Sequence, residues 1–302
     1  MNLVEICNTF STDDRCRELL ERLRWPKGPG CPRCAQPVSR RLSPKLLWCG
    51  KCKYQFTVTA NTIFHDSHLP LITWFAVVYL LCESRKGMSA NQIKRMLDIS
   101  YKTAWYLCHR IRAAMKQAQG LPLEGTVEVD ETYVGGRKRG MGRGAHATGK
   151  AIVIGIRQRG GELRYFHAGD VTSGTLEKYI KENVSEAVDV ILTDEFAAYE
   201  AALNKSPLFG DYRGKHRTVN HSKGEYVNVQ DRAIHTNTVE SAFSLLKRGI
   251  MGTWHRISPK HLAAYLDEMT FRFNRRADDD LFEQTLTVMV TADPLTFANL
   301  VK

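Results

Sequence analysis

Hydrophobic positions change their period three times along the chain. Around the first cysteine pairs there is little periodicity, only a β-rich run, "KYQFTVTANTIF", that extends past Cys52. From Leu71 to Ser84 apolar residues fall almost all round a helix, which predicts a buried one. Ser89 then offers an N-cap, with Ile93, Met96 and Leu97 at helical spacing, and "DIS" makes a short turn to Ser100, a second cap. On the second helix Ala104, Leu107, Cys108, Ile111 and Met115 form the inner face, and Lys102, His109, Arg110, Arg112 and Lys116 are expected mostly outside it. Two short helices, a tight turn and a basic second helix have the look of a helix-turn-helix, and a plain helical linker is the other reading. "AQGLPLEG" ends this region with Gly and Pro.

After Gly125 the period becomes two. "TVEVDETYV" alternates, with Val127, Val129 and Tyr133 on one face and Glu128 and Asp130 on the other. "AIVIGIRQ" is apolar on both faces and predicts an interior strand, and "GELRYFHAG" pairs with it through a Gly-rich turn. A helix over "SGTLEKYIKENV" follows, then "VDVILTDEFAAYEAAL", a buried strand with Asp194 at its end running into a helix. This alternation predicts a mixed α/β layer. "HTNTVESAFSLLKRG" is an amphipathic helix with Val239, Phe243, Leu246 and Ile250 inside and Asn237, Glu240, Ser244 and Lys247 on the polar face.

Two CxxC pairs, Cys31 with Cys34 and Cys49 with Cys52, lie fourteen residues apart. Each can aim two thiolates at one ion, so together they predict a tetrahedral structural Zn2+ site in a zinc ribbon. Cys7, Cys16, Cys82 and Cys108 lack such spacing and are expected to be packed thiols. Arg33, Arg40, Arg41, Lys45, Lys51 and Lys53 surround the ribbon. The whole chain of 302 residues carries 43 Lys and Arg against 32 Asp and Glu, a net charge of +11, which points to a polyanion such as nucleic acid. The opening residues do not read as a secretory signal, and the most apolar stretch, Leu69 to Cys82, is shorter than the ~20 residues of a spanning helix. A cytoplasmic chain without a membrane partner is the expectation.

Asp130 and Asp194 sit on strands that can be neighbours, a placement suited to a hard cation held by carboxylate oxygen. Glu240 is the candidate third acid. Ordinary roles compete: Asp194 can cap the following helix, and Asn237 with Glu240 fits a capping-box spacing. Five Lys and Arg, including Arg137, Lys138 and Arg139, follow the first acids, where a DNA backbone would come.

"VEVDETYVGGRKRG", "VILTDEFAAY", "VNHSKGEYV" and the long run from "IHTNTVESAF" to "FRFNRR" resemble the DDE-type bacterial insertion-sequence transposases with an N-terminal zinc ribbon. The resemblance spans roughly residues 25–276. It implies an RNase H-like catalytic domain, a mixed sheet with flanking helices, and a triad of Asp130, Asp194 and Glu240 holding Mg2+ or Mn2+. In that subgroup the third position can be Asn or His, so Asn237 remains the alternative. Glu240 is preferred because Lys247 follows it by seven residues. The resemblance also implies recognition of terminal inverted repeats, target DNA as second substrate, and action as a homo-oligomer, a dimer or higher. Phosphate contacts are expected from Lys247, Arg248, Lys102, Arg110 and Arg112 as well as the Arg137 cluster. The implied division is 1–66 for the N-terminal segment with the ribbon, 67–124 for the helical DNA-binding part, 125–276 for the catalytic domain and 277–302 for a tail. The expected function is metal-dependent cleavage at element ends and transfer of the 3′-OH to target DNA, by a nucleoid-associated enzyme. A DNA-binding regulator or an inactive transposase remnant is the alternative, and another RNase H-like nuclease such as a resolvase is a second.

Overall fold

A computed structural model of the chain describes residues 2–116, 120–135, 150–205, 212, 214–220, 224 and 227–302. The expected phosphate contacts Arg137, Lys138 and Arg139 lie outside the described residues. Two compact units result, Met1–Lys116 with Arg275–Lys302, and Gln117–Asn274.

The first unit begins with α1 (Leu3–Thr9), closed by a capping box between Asn2 and Glu5, and α2 (Asp13–Arg24), capped by Thr12. Three two-residue strands, β1 (Arg40–Arg41), β2 (Leu47–Trp48) and β3 (Gln55–Phe56), form the antiparallel ribbon. The β-rich run adds only β3. Its remaining apolar residues, Val58, Ala60, Ile63 and Phe64, are buried in turns, and Phe64 meets Trp74 at 4.8 Å. Helices α3 (Leu71–Glu83), α4 (Ala90–Leu97) and α5 (Tyr101–Met115) follow. Ser89 and Ser100 cap α4 and α5 as their positions predict, each accepting an N–H from three residues on.

The second unit is a five-stranded sheet flanked by helices. Its elements are β4 (Thr126–Val134), β5 (Ala151–Gln158), β6 (Leu163–Ala168), α6 (Ser173–Asn183), β7 (Val190–Asp194), α7 (Ala197–Glu200), β8 (His216–Val219), α8 (Asn237–Gly249) and α9 (Pro259–Asn274). The strand order is β6-β5-β4-β7-β8, antiparallel from β4 to β6 and parallel from β4 to β8. One face buries Val127, Val129, Ile154 and Ile191 against Leu176 and Ile180 of α6. The other buries Val153 and Tyr165 against Val239, Phe243 and Leu246 of α8 and Leu262 and Leu266 of α9. A strand buried on both faces needs the unbroken apolar run that β5 has.

The chain then returns to the first unit as α10 (Leu281–Thr291) and α11 (Phe297–Val301). Residues 277–302 are therefore not a tail. Phe282 of α10 completes an aromatic cluster, with ring centroids 6.0 Å from Phe10, 5.7 Å from Phe75 and 6.3 Å from Tyr79. Segments 1–66 and 67–124, expected as separate domains, also fall together in this unit up to Lys116. Among the described residues no helix is long and apolar enough to cross a membrane.

Truncating Phe282 to Ala removes the ring that three others pack on, so urea unfolding is expected to show a loss of ~3–5 kcal/mol. A loss within about 0.5 kcal/mol, as for a surface residue, would contradict the role of α10 in this core.

Candidate active site

Strand alternation decides which way the acids point. Val127 and Val129 enter the core shared with α6, so Glu128 and Asp130 point to the face covered by α8. Parallel pairing sets Glu128 beside Leu192, and Asp130 and Asp194 each follow two residues further along their strands, on the same face. Across β4 on the other side, Asp130 pairs with Gly155 of β5. A Cβ at Gly155 would stand 2.7 Å from Phe243 Cζ and 3.1 Å from Val239 Cγ2. The missing side chain lets α8 lie directly on the sheet beside Asp130, and α8 carries Glu240 to it.

The carboxylates interact. Burial pushes the pKa of Asp130 up to about 8, and the nearby charges of Glu131, Asp194 and Glu240 add to the shift, while a bond from the Glu131 N–H opposes it. Glu131 points to the opposite face, where Tyr199 Oη donates to its Oε2 at 2.8 Å, and burial raises its pKa too. Asp194 Oδ1 accepts the Phe196 N–H at 3.0 Å, so it takes part in the turn leading to α7. Thr236 Oγ1 donates to Glu240 Oε1 at 2.9 Å. The oxygens of Asp130, Asp194 and Glu240 are not all within the 4.8 Å that the cysteine sulfurs reach. Three acids with oxygen donors on one sheet face nonetheless match the chemistry of a hard divalent cation.

The capping role expected of Asn237 falls elsewhere. Thr236 is the N-cap residue of α8, its side chain makes no capping bond, and Asn237 is the exposed first helical residue. Lys247 and Arg248 are exposed near the end of α8, and Arg248 Nε also bonds the Ser244 carbonyl.

In the first unit Cys31 Sγ lies 3.6 Å from Cys52 Sγ and Cys34 Sγ 3.5 Å from Cys49 Sγ, and all four sulfurs lie within 4.8 Å of one another. Four Zn–S bonds of about 2.3 Å in a tetrahedron put sulfurs ~3.8 Å apart, so the quartet fits zinc. The backbone N–H of Cys52 leads the groups that lower the pKa of Cys49 to about 6, against opposition from burial. All six cations named around the ribbon are exposed. Arg33 lies 4.1 Å above the Tyr54 ring, and Arg40 and Lys53 lie over Trp48 at 5.0 and 5.1 Å. Arg41 instead pairs with Glu21.

Helix α5 corrects one expectation. Only its first turn presents a charge outward, through Lys102, while His109, Arg110 and Arg112 are 1%, 4% and 1% exposed. Arg110 is packed over Trp74 and Tyr106 and donates to the His65 carbonyl. A phosphate contact by Arg110 or Arg112 does not follow from these positions. On α4, Ile93 is buried but Met96 is 51% exposed, so the inner stripe is narrower than its spacing suggests.

The family model for the ISXO2-like transposase domain matches residues 122–274, and that for the transposase zinc-ribbon domain matches residues 11–55. The chain belongs to the ISXO2-like transposases. It is a DDE-type insertion-sequence transposase with an N-terminal zinc ribbon. It is also 33% identical over 284 residues to an uncharacterized protein in the transposable element ISH50 of Halobacterium salinarum, covering 87% of this chain and 92% of that one. The matched transposase domain ends at the same residue as the second unit, Asn274. DNA is the partner that both matched domains imply.

Sequence reading of this transposase missed the residues that hold α8 in place. Glu128 was visible as an acid on the Asp130 face, but its contacts are made across 110 residues of chain, to the Thr238 N–H. Gly155 gave no signal beyond being a glycine inside an apolar strand.

Replacing Cys49 by Ser is expected to lower zinc content from about one ion per chain, measured by atomic absorption, with the ribbon unfolded and the second unit intact. Full zinc content in that variant would contradict the assignment. The raised Asp130 pKa makes a second prediction. The folded chain holds this proton up to about pH 8, whereas the unfolded chain loses it near 3.8, so its stabilisation is present at low pH and is lost as pH rises from about 4 to 8. Without added divalent ions, the Tm of Asp130→Asn relative to the parent is expected to climb across that window. A flat difference would contradict the burial of this carboxyl.

Proposed function

We propose that this transposase cleaves DNA at the ends of its insertion sequence and joins the freed 3′-OH to target DNA, with Asp130, Asp194 and Glu240 as the acids that hold divalent ions. The observation that carries this reading is the convergence of the three acids on one sheet face, where burial, with the nearby charges of Glu131, Asp194 and Glu240, raises the Asp130 pKa to about 8. A site that costs this much to ionise is one that a cation stabilises. The first strand is central, antiparallel to β5 and parallel to β7, which supports an RNase H-like domain.

The reaction is phosphoryl transfer in two steps. Water attacks the phosphodiester at the element end and releases a 3′-OH. That hydroxyl then attacks a phosphodiester of the target, displacing a 3′ oxygen. When bound, Mg2+ or Mn2+ would make the attacking oxygen a better nucleophile and offset charge on the leaving one. Asp130 supplies oxygens from the middle of β4 and Asp194 from the end of the neighbouring β7, and Glu240 supplies a third from the helix laid across them. Thr236 orients the Glu240 carboxylate. Lys247, seven residues along the same helix and exposed, is the cation for a substrate phosphate. Lys102 and the exposed Arg33, Arg40 and Lys53 of the ribbon are the contacts for terminal inverted repeats. Two ends must be brought together, so the active form is a homo-oligomer on DNA, in the cytoplasm and at the nucleoid.

The test is cleavage of end-containing DNA by purified protein with Mg2+. Asp130→Ala, Asp194→Ala and Glu240→Ala are each expected to lower cleavage by about a hundredfold or more while end binding in gel-shift assays persists. Asn237→Ala is expected to cleave near the parental rate. If Glu240→Ala stays active and Asn237→Ala does not, the third ligand is Asn237. If all four cleave like the parent, the reading fails.

A further inference from the structure

Glu128 is fully buried, yet the reaction proposed above gives it no part. Its Oε2 accepts the backbone N–H groups of Thr238 and Val239, both at 2.9 Å. These are the second and third residues of α8, the positions an N-cap side chain normally serves. The residue in the cap position, Thr236, makes no such bond, and its hydroxyl is turned to Glu240. The two tasks at the start of α8 are thus divided. Thr236 orients the acid one turn in, and a carboxylate from another element closes the helix.

That carboxylate is anchored in turn. Arg159, just beyond β5, donates from Nε to Glu128 Oε1 at 2.6 Å. The same guanidinium donates to the carbonyls of Ala233 and His235 and to His235 Nδ1. Arginine has no acceptor, so the His235 nitrogen accepts. Arg157 of β5 adds bonds to the Thr238 carbonyl and Ser241 Oγ. One ion pair, with its carboxylate fully buried, therefore fixes both the segment entering α8 and its first amides. Glu128 lies two residues before Asp130 on the same face of β4, so Asp130 and Glu240 are referred to one point on the sheet.

We propose that Glu128 is a positioning residue for the metal site: it caps α8 from β4 and so sets the spacing between Glu240 and the two aspartates. This rests on the reading that Asp130, Asp194 and Glu240 hold the divalent ions. Partners that orient metal ligands typically change affinity or activity by about 10–100-fold when altered. A residue that only stabilised the fold would lower Tm and leave the metal affinity of the folded protein unchanged.

The experiment is Mn2+ binding by the zinc-loaded full-length protein, read by electron paramagnetic resonance of the free ion, beside the Mg2+ dependence of end cleavage. Glu128→Gln removes the charge that Arg159 needs. Glu128→Asp keeps the charge and withdraws it by one methylene from the amides. Both are expected to raise the half-saturating Mn2+ and Mg2+ concentrations about tenfold or more, with end binding unchanged. Where Glu128→Gln fails to fold by circular dichroism, Glu128→Asp is read alone, and a folded Glu128→Asp with parental metal affinity overturns the proposal. Should neither variant fold, Arg159→Lys, which keeps the charge but loses the bonds that pin Ala233 and His235, is read by the same two measurements: a rise supports the proposal and parental values overturn it. Asp130→Asn separates the two levels. If it binds Mn2+ and cleaves like the parent, the acids do not hold the ions and the functional reading fails. If it loses both while the folded Glu128 variants match the parent, only the positioning role is wrong.

Discussion

The catalytic unit depends on how closely α8 can lie on its sheet. Everything proposed for the acids requires a helix-borne carboxylate to reach two strand-borne ones, and the side chains between a helix and a sheet set how near they come. Gly155 brings the helix down at the residue paired with Asp130, and the bond from Glu128 to the first amides of α8 prevents it from sliding or rotating there. Steric room and a buried charge act together. The first sets how near the helix comes, and the second sets which residue faces the aspartates. A buried carboxylate with an arginine and two amide donors is satisfied in each of its oxygens, which is the condition for keeping a charge in a core without a large penalty.

Sequence periodicity carried much of this architecture. Alternation in β4 separated Glu128 and Asp130 from the valines, the two-sided apolar run marked β5 as interior, and Ser89 and Ser100 marked two helix starts that the structure keeps. Three things were not legible. A helical period cannot say that a helix is covered on several sides, so the arginines of α5 read as an outer face. A strand of four residues such as β8 is too short to show a period, and its partner β7 is what identifies it. The return of the chain through α10 into the first core is a long-range pairing that no local pattern encodes. In the candidate site the acids were visible because strand alternation, a strand end and a helix face constrain them. The cap of α8 was not, because its donor and acceptor lie more than a hundred residues apart.

The two units divide charge differently. On the ribbon, cations lie over aromatic rings and stay exposed, which limits the entropy lost when such a side chain meets a phosphate. In α5, guanidinium groups are spent on the interior, where Arg110 packs over two rings and a carbonyl. Net positive charge alone therefore overstates the surface available to DNA. The first unit presents a smaller set of cations than its sequence holds, six of them exposed around the ribbon and others, such as Lys94 and Arg95 of α4, elsewhere on its surface.

The measurement closest to the central claim is the location of Mn2+ by anomalous diffraction from crystals of the full-length protein. The account predicts a peak about 2 Å from carboxylate oxygens of both Asp130 and Asp194, with Glu240 as the ligand from α8. A peak that engages Asn237 in place of Glu240, or an ion bound away from the two aspartates, would contradict it.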